Sequence, residues 1–155
     1  HASFASNHPG AQVGDITEVE GLTQILWPDH CVEDTPGAEF ADTLDTRRIE
    51  RVFKKGSDPR YDSYSGLYDN GHKSATGMSE YLKAQQVDQV FVAGIATEYC
   101  VKFTVLDALR DGFKTTCIID ACRGVINNPG DIEKAVAEMV SAGANMAGWE
   151  SVKGD

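Results

Sequence analysis

Gln89-Val90-Phe91-Val92-Ala93-Gly94-Ile95-Ala96-Thr97-Glu98-Tyr99-Cys100-Val101 is the stretch that decides the fold. Its first part, Gln89 to Gly94, is a short apolar run of the kind a strand shows when a parallel sheet is covered on both faces. From Val101 the period changes. Val101, Val105, Ala108 and Leu109 fall on one helical face, and Gly112 supplies a stop. Downstream the rhythm repeats. Thr115 to Asp120 reads as a second buried strand, and Ala144 to Ala147 as a closing one. Between them Asp131 reads as the N-cap of a helix that turns Ile132, Ala135, Val136, Met139 and Val140 inward and stops at Gly143. Upstream, Ile49 to Lys55 reads as a strand ended by Gly56, and Met78, Tyr81 and Leu82 mark a helix to about Gln86. The first third is loop-rich, broken at His8-Pro9-Gly10, Trp27-Pro28-Asp29 and Thr35-Pro36-Gly37. Strand and helix in alternation build right-handed βαβ units, so the expected fold is α/β, a three-layer α/β/α arrangement around a mainly parallel sheet.

A chain of 155 residues, 41% of them hydrophobic, fits one domain spanning 1–155. Its 14 Lys and Arg against 24 Asp and Glu leave a net charge of −10. Phosphate contacts need clustered basic residues, so no nucleic-acid partner is expected. No apolar run approaches the roughly 20 residues that span a bilayer, and no membrane partner is expected either. Cys31, Cys100, Cys117 and Cys122 form no CxxC pair and no zinc-finger spacing, and read as free thiols of a reducing, cytoplasmic compartment.

Ligands of parallel sheets bind beyond the carboxyl ends of the strands, where Lys55, Cys100 and Asp120 fall. A thiol at a helix start feels the positive end of the dipole, and the unpaired amides of the first turn can bind an oxyanion. Cys100 is thereby a candidate nucleophile toward a carbonyl, although a buried structural cysteine fits the same position. Lys54 and Lys55 point opposite ways along a strand, so one can face the site or both can be solvated. His30 is a lone imidazole, which by itself makes no metal site. Trp27 and Tyr64 are loop aromatics that suit either a pocket for a flat ring or a cap on the core. A redox pair of Cys117 and Cys122 is disfavoured because it lacks the exposed helix-start geometry.

Several segments taken together resemble the nicotinamidase/pyrazinamidase branch of the isochorismatase-like cysteine hydrolases. They are His1-Ala2-Ser3-Phe4, Trp27-Pro28-Asp29-His30-Cys31-Val32 with Thr35-Pro36-Gly37-Ala38, and Lys55-Gly56 followed by Asp62-Ser63-Tyr64-Ser65. Further on come Gly94-Ile95-Ala96-Thr97-Glu98-Tyr99-Cys100-Val101-Lys102 and Asp120-Ala121-Cys122-Arg123-Gly124-Val125. The resemblance implies Cys100 as nucleophile, Lys55 as the lysine of the catalytic triad, and the amides of Ala96 and Cys100 as the oxyanion hole after a cis Ile95–Ala96 peptide. It implies Trp27 and Tyr64 against the substrate ring, and His30 as a ligand of one divalent transition metal, zinc first, with iron or manganese as alternatives. The implied reaction converts nicotinamide to nicotinate and ammonia in NAD salvage, with pyrazinamide also accepted. Homo-oligomers are left open. The family's catalytic aspartate, on a first strand, and an Asp-x-His pair of metal ligands fall ahead of His1. The chain is therefore expected to lack that strand and to be inactive as 155 residues. An amidase acting on an N-carbamoyl or ureido substrate would share the Cys and Lys without needing Trp-Pro-Asp-His-Cys. A non-catalytic binding or assembly domain is the alternative from another class.

Overall fold

Three parallel strands organise the second half of the chain in the computed structural model, which describes residues 1–125 and 128–153. Residues 1–52 with 56–62 form one compact unit; residues 53–55 and those from 63 onward form another.

In the second unit, β3 (Gln89–Ile95), β4 (Lys114–Arg123) and β5 (Asn145–Ala147) lie in the order β3-β4-β5. Helix α2 (Lys102–Arg110) links β3 to β4, and α3 (Asp131–Ser141) links β4 to β5. The α/β class with a parallel sheet is the expected one. Val101, Val105, Cys117, Cys122, Met139 and Ala144 form the buried core, with Val92, Leu109 and Val136 packed against it. β4 is central, and four successive residues, Thr115 to Ile118, are buried on it. β3 departs from expectation. Among the described residues it lies at one end of the sheet, and it alternates: Val92 faces the core, while Phe91 and Ile95 are 53% and 73% exposed. The ladder also shifts register, pairing Val92 with Cys117 but Gly94 with Cys122, so β4 carries a bulge between them.

Other boundaries move for local reasons. Ile49 to Lys55 joins no strand ladder among the described residues, and a strand exists only through its ladder. Val52 is exposed there, while Phe53 packs on Tyr81 of α1 (Met78–Ala84) at 5.5 Å. Helix α3 takes Gly130 as its N-cap, because the Asp131 carboxylate instead accepts from the Asn128 amide at 2.9 Å. Val140 faces outward, 51% exposed. Asp120 lies inside β4, where its carboxylate accepts from Trp149 N at 2.9 and 3.0 Å and caps α4 (Trp149–Val152). Between Tyr68 and Ala75, which bridge, the buried Asp69 carboxylate gathers the amides of Gly71, Lys73 and Ser74 and the Ser74 hydroxyl at 2.6–2.9 Å.

The first unit contains a hairpin that the sequence reading passes over as loop. β1 (Ile16–Val19) pairs antiparallel with β2 (Leu22–Ile25). The two connecting residues, Glu20 and Gly21, have φ of 51° and 77°, the positive pair a tight type I′ turn requires. Nearby Trp27 is tied into a short bridge with Phe4: Trp27 N donates to Ser3 O (2.8 Å) and Ala5 N to Trp27 O (2.9 Å). Among the described residues no helix is long and apolar enough to cross a membrane.

Candidate active site

Cys100 stands in a turn whose backbone is wound more widely than an α-helix. Residues Thr97–Val101 form a π-helical turn that runs directly into α2. The Ala96 carbonyl accepts from Tyr99 N at 3.1 Å and from Val101 N at 3.0 Å, so the widened ring passes over the Cys100 amide between them. The Ile95–Ala96 peptide is cis, as the resemblance implies. Ala96, Thr97 and Glu98 are buried, whereas Cys100 is partly open. The arrangement joins a reachable thiol to a cluster of oriented amides. That combination suits nucleophilic attack on a carbonyl followed by stabilisation of the oxyanion.

The turn is fastened on two sides. Glu98, 5% exposed, accepts from Val125 N through Oε1 at 2.8 Å, just beyond the end of β4. Gly124 lies against the same carboxylate, and a Cβ there would stand 2.7 Å from Glu98 Oε2 and 2.6 Å from Ile132 Cδ1. On the other side, Thr104 Oγ1 donates to Cys100 O at 2.6 Å and accepts from Gly66 N at 2.9 Å.

The loop of Gly66 carries two more of the expected site residues. The Tyr64 ring meets Tyr99 edge-on and Phe103 at a tilt, both with centroids 5.3 Å away. Tyr64 N donates to Asn70 Oδ1 at 2.9 Å, and Lys55 Nζ donates to Ser63 O at 2.7 Å. Cys100, Ala96, Tyr64 and Lys55 thus belong to one connected set of contacts. The Lys55 ammonium binds the Tyr64 loop and makes no direct hydrogen bond to the sulfur.

Trp27 and His30 belong to the first unit. Nδ1 of His30 lies 2.7 Å from Pro28 O, a carbonyl that can only accept, so Nδ1 is the donor there and Nε2 is the nitrogen left to face a metal. The exposed imidazole also packs on Phe4, with centroids 5.4 Å apart. Among the described residues, however, no group of three His, Cys, Asp or Glu is gathered to hold a metal ion. The residues described here do not make up a complete metal site.

The isochorismatase domain family matches residues 16–151, a span that runs through both units. The chain belongs to the isochorismatase family. It is 45% identical to the nicotinamidase of Escherichia coli (strain K12), over 99% of this chain and 73% of that one. Among solved structures it is similar to an Acinetobacter baumanii nicotinamidase pyrazinamidase, with TM-score 0.94, 40% identity, and coverage of 99% of this chain and 73% of the other. It is also similar to the pyrazinamidase of Pyrococcus horikoshii in complex with zinc, with TM-score 0.69, 36% identity, and coverage of 79% and 63%.

Two features of this isochorismatase-family chain are not legible in the sequence. Thr104 sits one helical turn beyond Cys100, a spacing that was visible, but nothing in the sequence marks its partner Gly66. Glu98 reads as an ordinary polar residue of the turn until its burial is seen. Cys117 and Cys122 bring their sulfurs to 3.8 Å. Both are buried, and burial, aided by the neighbouring thiol, pushes Cys117 up to about 12. That disfavours the thiolate a redox pair needs.

Proposed function

We propose that this protein hydrolyses nicotinamide to nicotinate and ammonia, with Cys100 as the nucleophile. The observation that carries the reading is the Ala96-to-Cys100 turn, whose π-helical winding passes over the Cys100 amide beside a partly open thiol. Sequence similarity to nicotinamidases across nearly the whole chain supports the substrate.

In this reading the Cys100 sulfur adds to the carboxamide carbon, and the new oxyanion rests on the amides of Ala96 and Cys100. The C–N bond breaks and the nitrogen leaves as ammonia, carrying the proton that the Cys100 thiol gave up; water then cleaves the thioester, its oxygen going to nicotinate and one proton returning to the sulfur. Tyr64, held against Tyr99 and Phe103, supplies an aromatic wall for the pyridine ring. A ring contact for Trp27 rests on the resemblance alone. Lys55 keeps the charge of the site balanced while its bond to Ser63 O sets the Tyr64 loop. His30 is one donor to a divalent metal of the kind the Pyrococcus horikoshii protein holds as zinc; iron shares the preference for imidazole, whereas manganese, the other alternative, leans on oxygen donors. Such a metal would anchor the ring nitrogen. The substrate and the free thiols support a cytoplasmic role in NAD salvage.

Ammonia release by the native gene product tests the proposal. Nicotinamide and pyrazinamide are expected to turn over and benzamide, which lacks the ring nitrogen, to fail. Cys100→Ala should abolish turnover with an unchanged circular dichroism spectrum. Retained turnover in Cys100→Ala would remove the nucleophile assignment, and hydrolysis of an N-carbamoyl substrate in preference to nicotinamide would move the chain to another amidase branch.

A further inference from the structure

We propose that Thr104 is a positioning residue that couples the nucleophile turn to the loop that receives the substrate ring. The inference rests on the reading of Cys100 and Tyr64 as site residues and adds the part that sets one against the other. The Thr104 hydroxyl has one proton, and it goes to Cys100 O at 2.6 Å. Threonine in a helix commonly bonds back to the carbonyl four residues earlier, so this contact alone would mean little. The same oxygen, however, also accepts Gly66 N at 2.9 Å, from a residue 38 positions away. The opposite side of Gly66 is held as well, because its carbonyl accepts Thr76 Oγ1 at 2.7 Å. Gly66 is two residues from Tyr64, whose ring touches Tyr99 and Phe103 on either side of Cys100.

One hydroxyl therefore fixes two things together. It sets the plane of the peptide that follows Cys100, and through it the direction in which the thiol leaves the turn. It also fixes the height of the Tyr64 loop over α2. Gly66 carries no side chain to pack there: a Cβ built on it would stand in ordinary van der Waals contact with Thr104 Oγ1 (3.6 Å), Thr104 Cγ2 (3.8 Å) and Met78 Cε (3.6 Å), so in the native chain the directional link from residue 66 to residue 104 is the hydrogen bond.

The test reads ligand protection rather than turnover. Cys100 of the native gene product is alkylated with iodoacetamide at increasing nicotinamide concentrations, followed by peptide mass spectrometry, with the melting temperature measured alongside. Thr104→Val, which keeps the shape and removes the hydroxyl, should raise the half-protecting nicotinamide concentration about fivefold, the factor corresponding to one net hydrogen bond. Thr104→Ser, which keeps the hydroxyl and drops the methyl, should return it to near the wild-type value. If Thr104→Val does not fold, Thr104→Ala carries the same expectation. Wild-type protection in the hydroxyl-free variants, or failure of Thr104→Ser to rescue, overturns the inference and leaves the reading of Cys100 standing. If nicotinamide never shields Cys100 in the wild-type protein, both fall together.

Discussion

Glycine at 124 is dictated by its neighbours. A methyl group there would stand 2.6 Å from Ile132 Cδ1, 2.9 Å from Ile132 Cγ1 and 2.7 Å from Glu98 Oε2, so both the α3 side chain and the buried carboxylate would have to move. Gly124→Ala is expected to lower unfolding free energy in urea by about 1–3 kcal/mol, the usual result of overpacking. Because Glu98 is the other party, the same variant should disturb the Val125 contact and with it the Cys100 turn. An unchanged urea midpoint would show that the site has slack. The sequence hinted at none of this. The motif around Cys100 made the turn legible and the resemblance named its roles, whereas Glu98, Gly124 and Thr104 act through partners that only the fold brings near.

At the scale of elements, the loop from Tyr68 to Ala75 is organised by one carboxylate. Burial alone would push the Asp69 acid up, but the bonds from Ser74, Lys73 and Gly71 outweigh it and hold the acid below its ordinary 3.8. A lowered folded value contributes stability that is complete above the unfolded pKa, near 4, and is lost as pH falls through the folded value. Acid unfolding curves should therefore steepen below about pH 4, and Asp69→Asn should flatten that limb while costing about 1–3 kcal/mol at neutral pH. A variant whose pH profile overlays the wild type would rule out this role. Elements with strong periodicity were readable: α2, α3 and the central β4 stand where the apolar spacing put them. The β1–β2 hairpin is not legible in sequence because Glu20 is not one of the residues that usually announce a positive φ, and Gly21 alone does not mark it. Ile49 to Lys55 reads as a strand in sequence because apolar alternation carries no information about whether a partner strand lies alongside.

For the molecule as a whole, charge is the most direct determinant of behaviour. With a net charge of −10, the protein should repel polyanions at neutral pH and pass unretained through a heparin column even at low salt. Solubility should be least near the isoelectric point of 4.7, and a minimum well above that value would mean that something else governs association. The bulge in β4 has a different kind of reach. Residues five apart on an uninterrupted strand project to opposite faces and would vary independently. The bulge instead turns Cys117 and Cys122 toward one another, with their sulfurs at 3.8 Å. Their tolerances to substitution are consequently entangled: a larger side chain at one position consumes the space of the other. Combining Cys117→Val with Cys122→Ala should give an epistatic term of more than about 0.5 kcal/mol, whereas Cys117→Val with Cys31→Ala should be additive within that margin. A change at either position should therefore set the side-chain volume the other can hold.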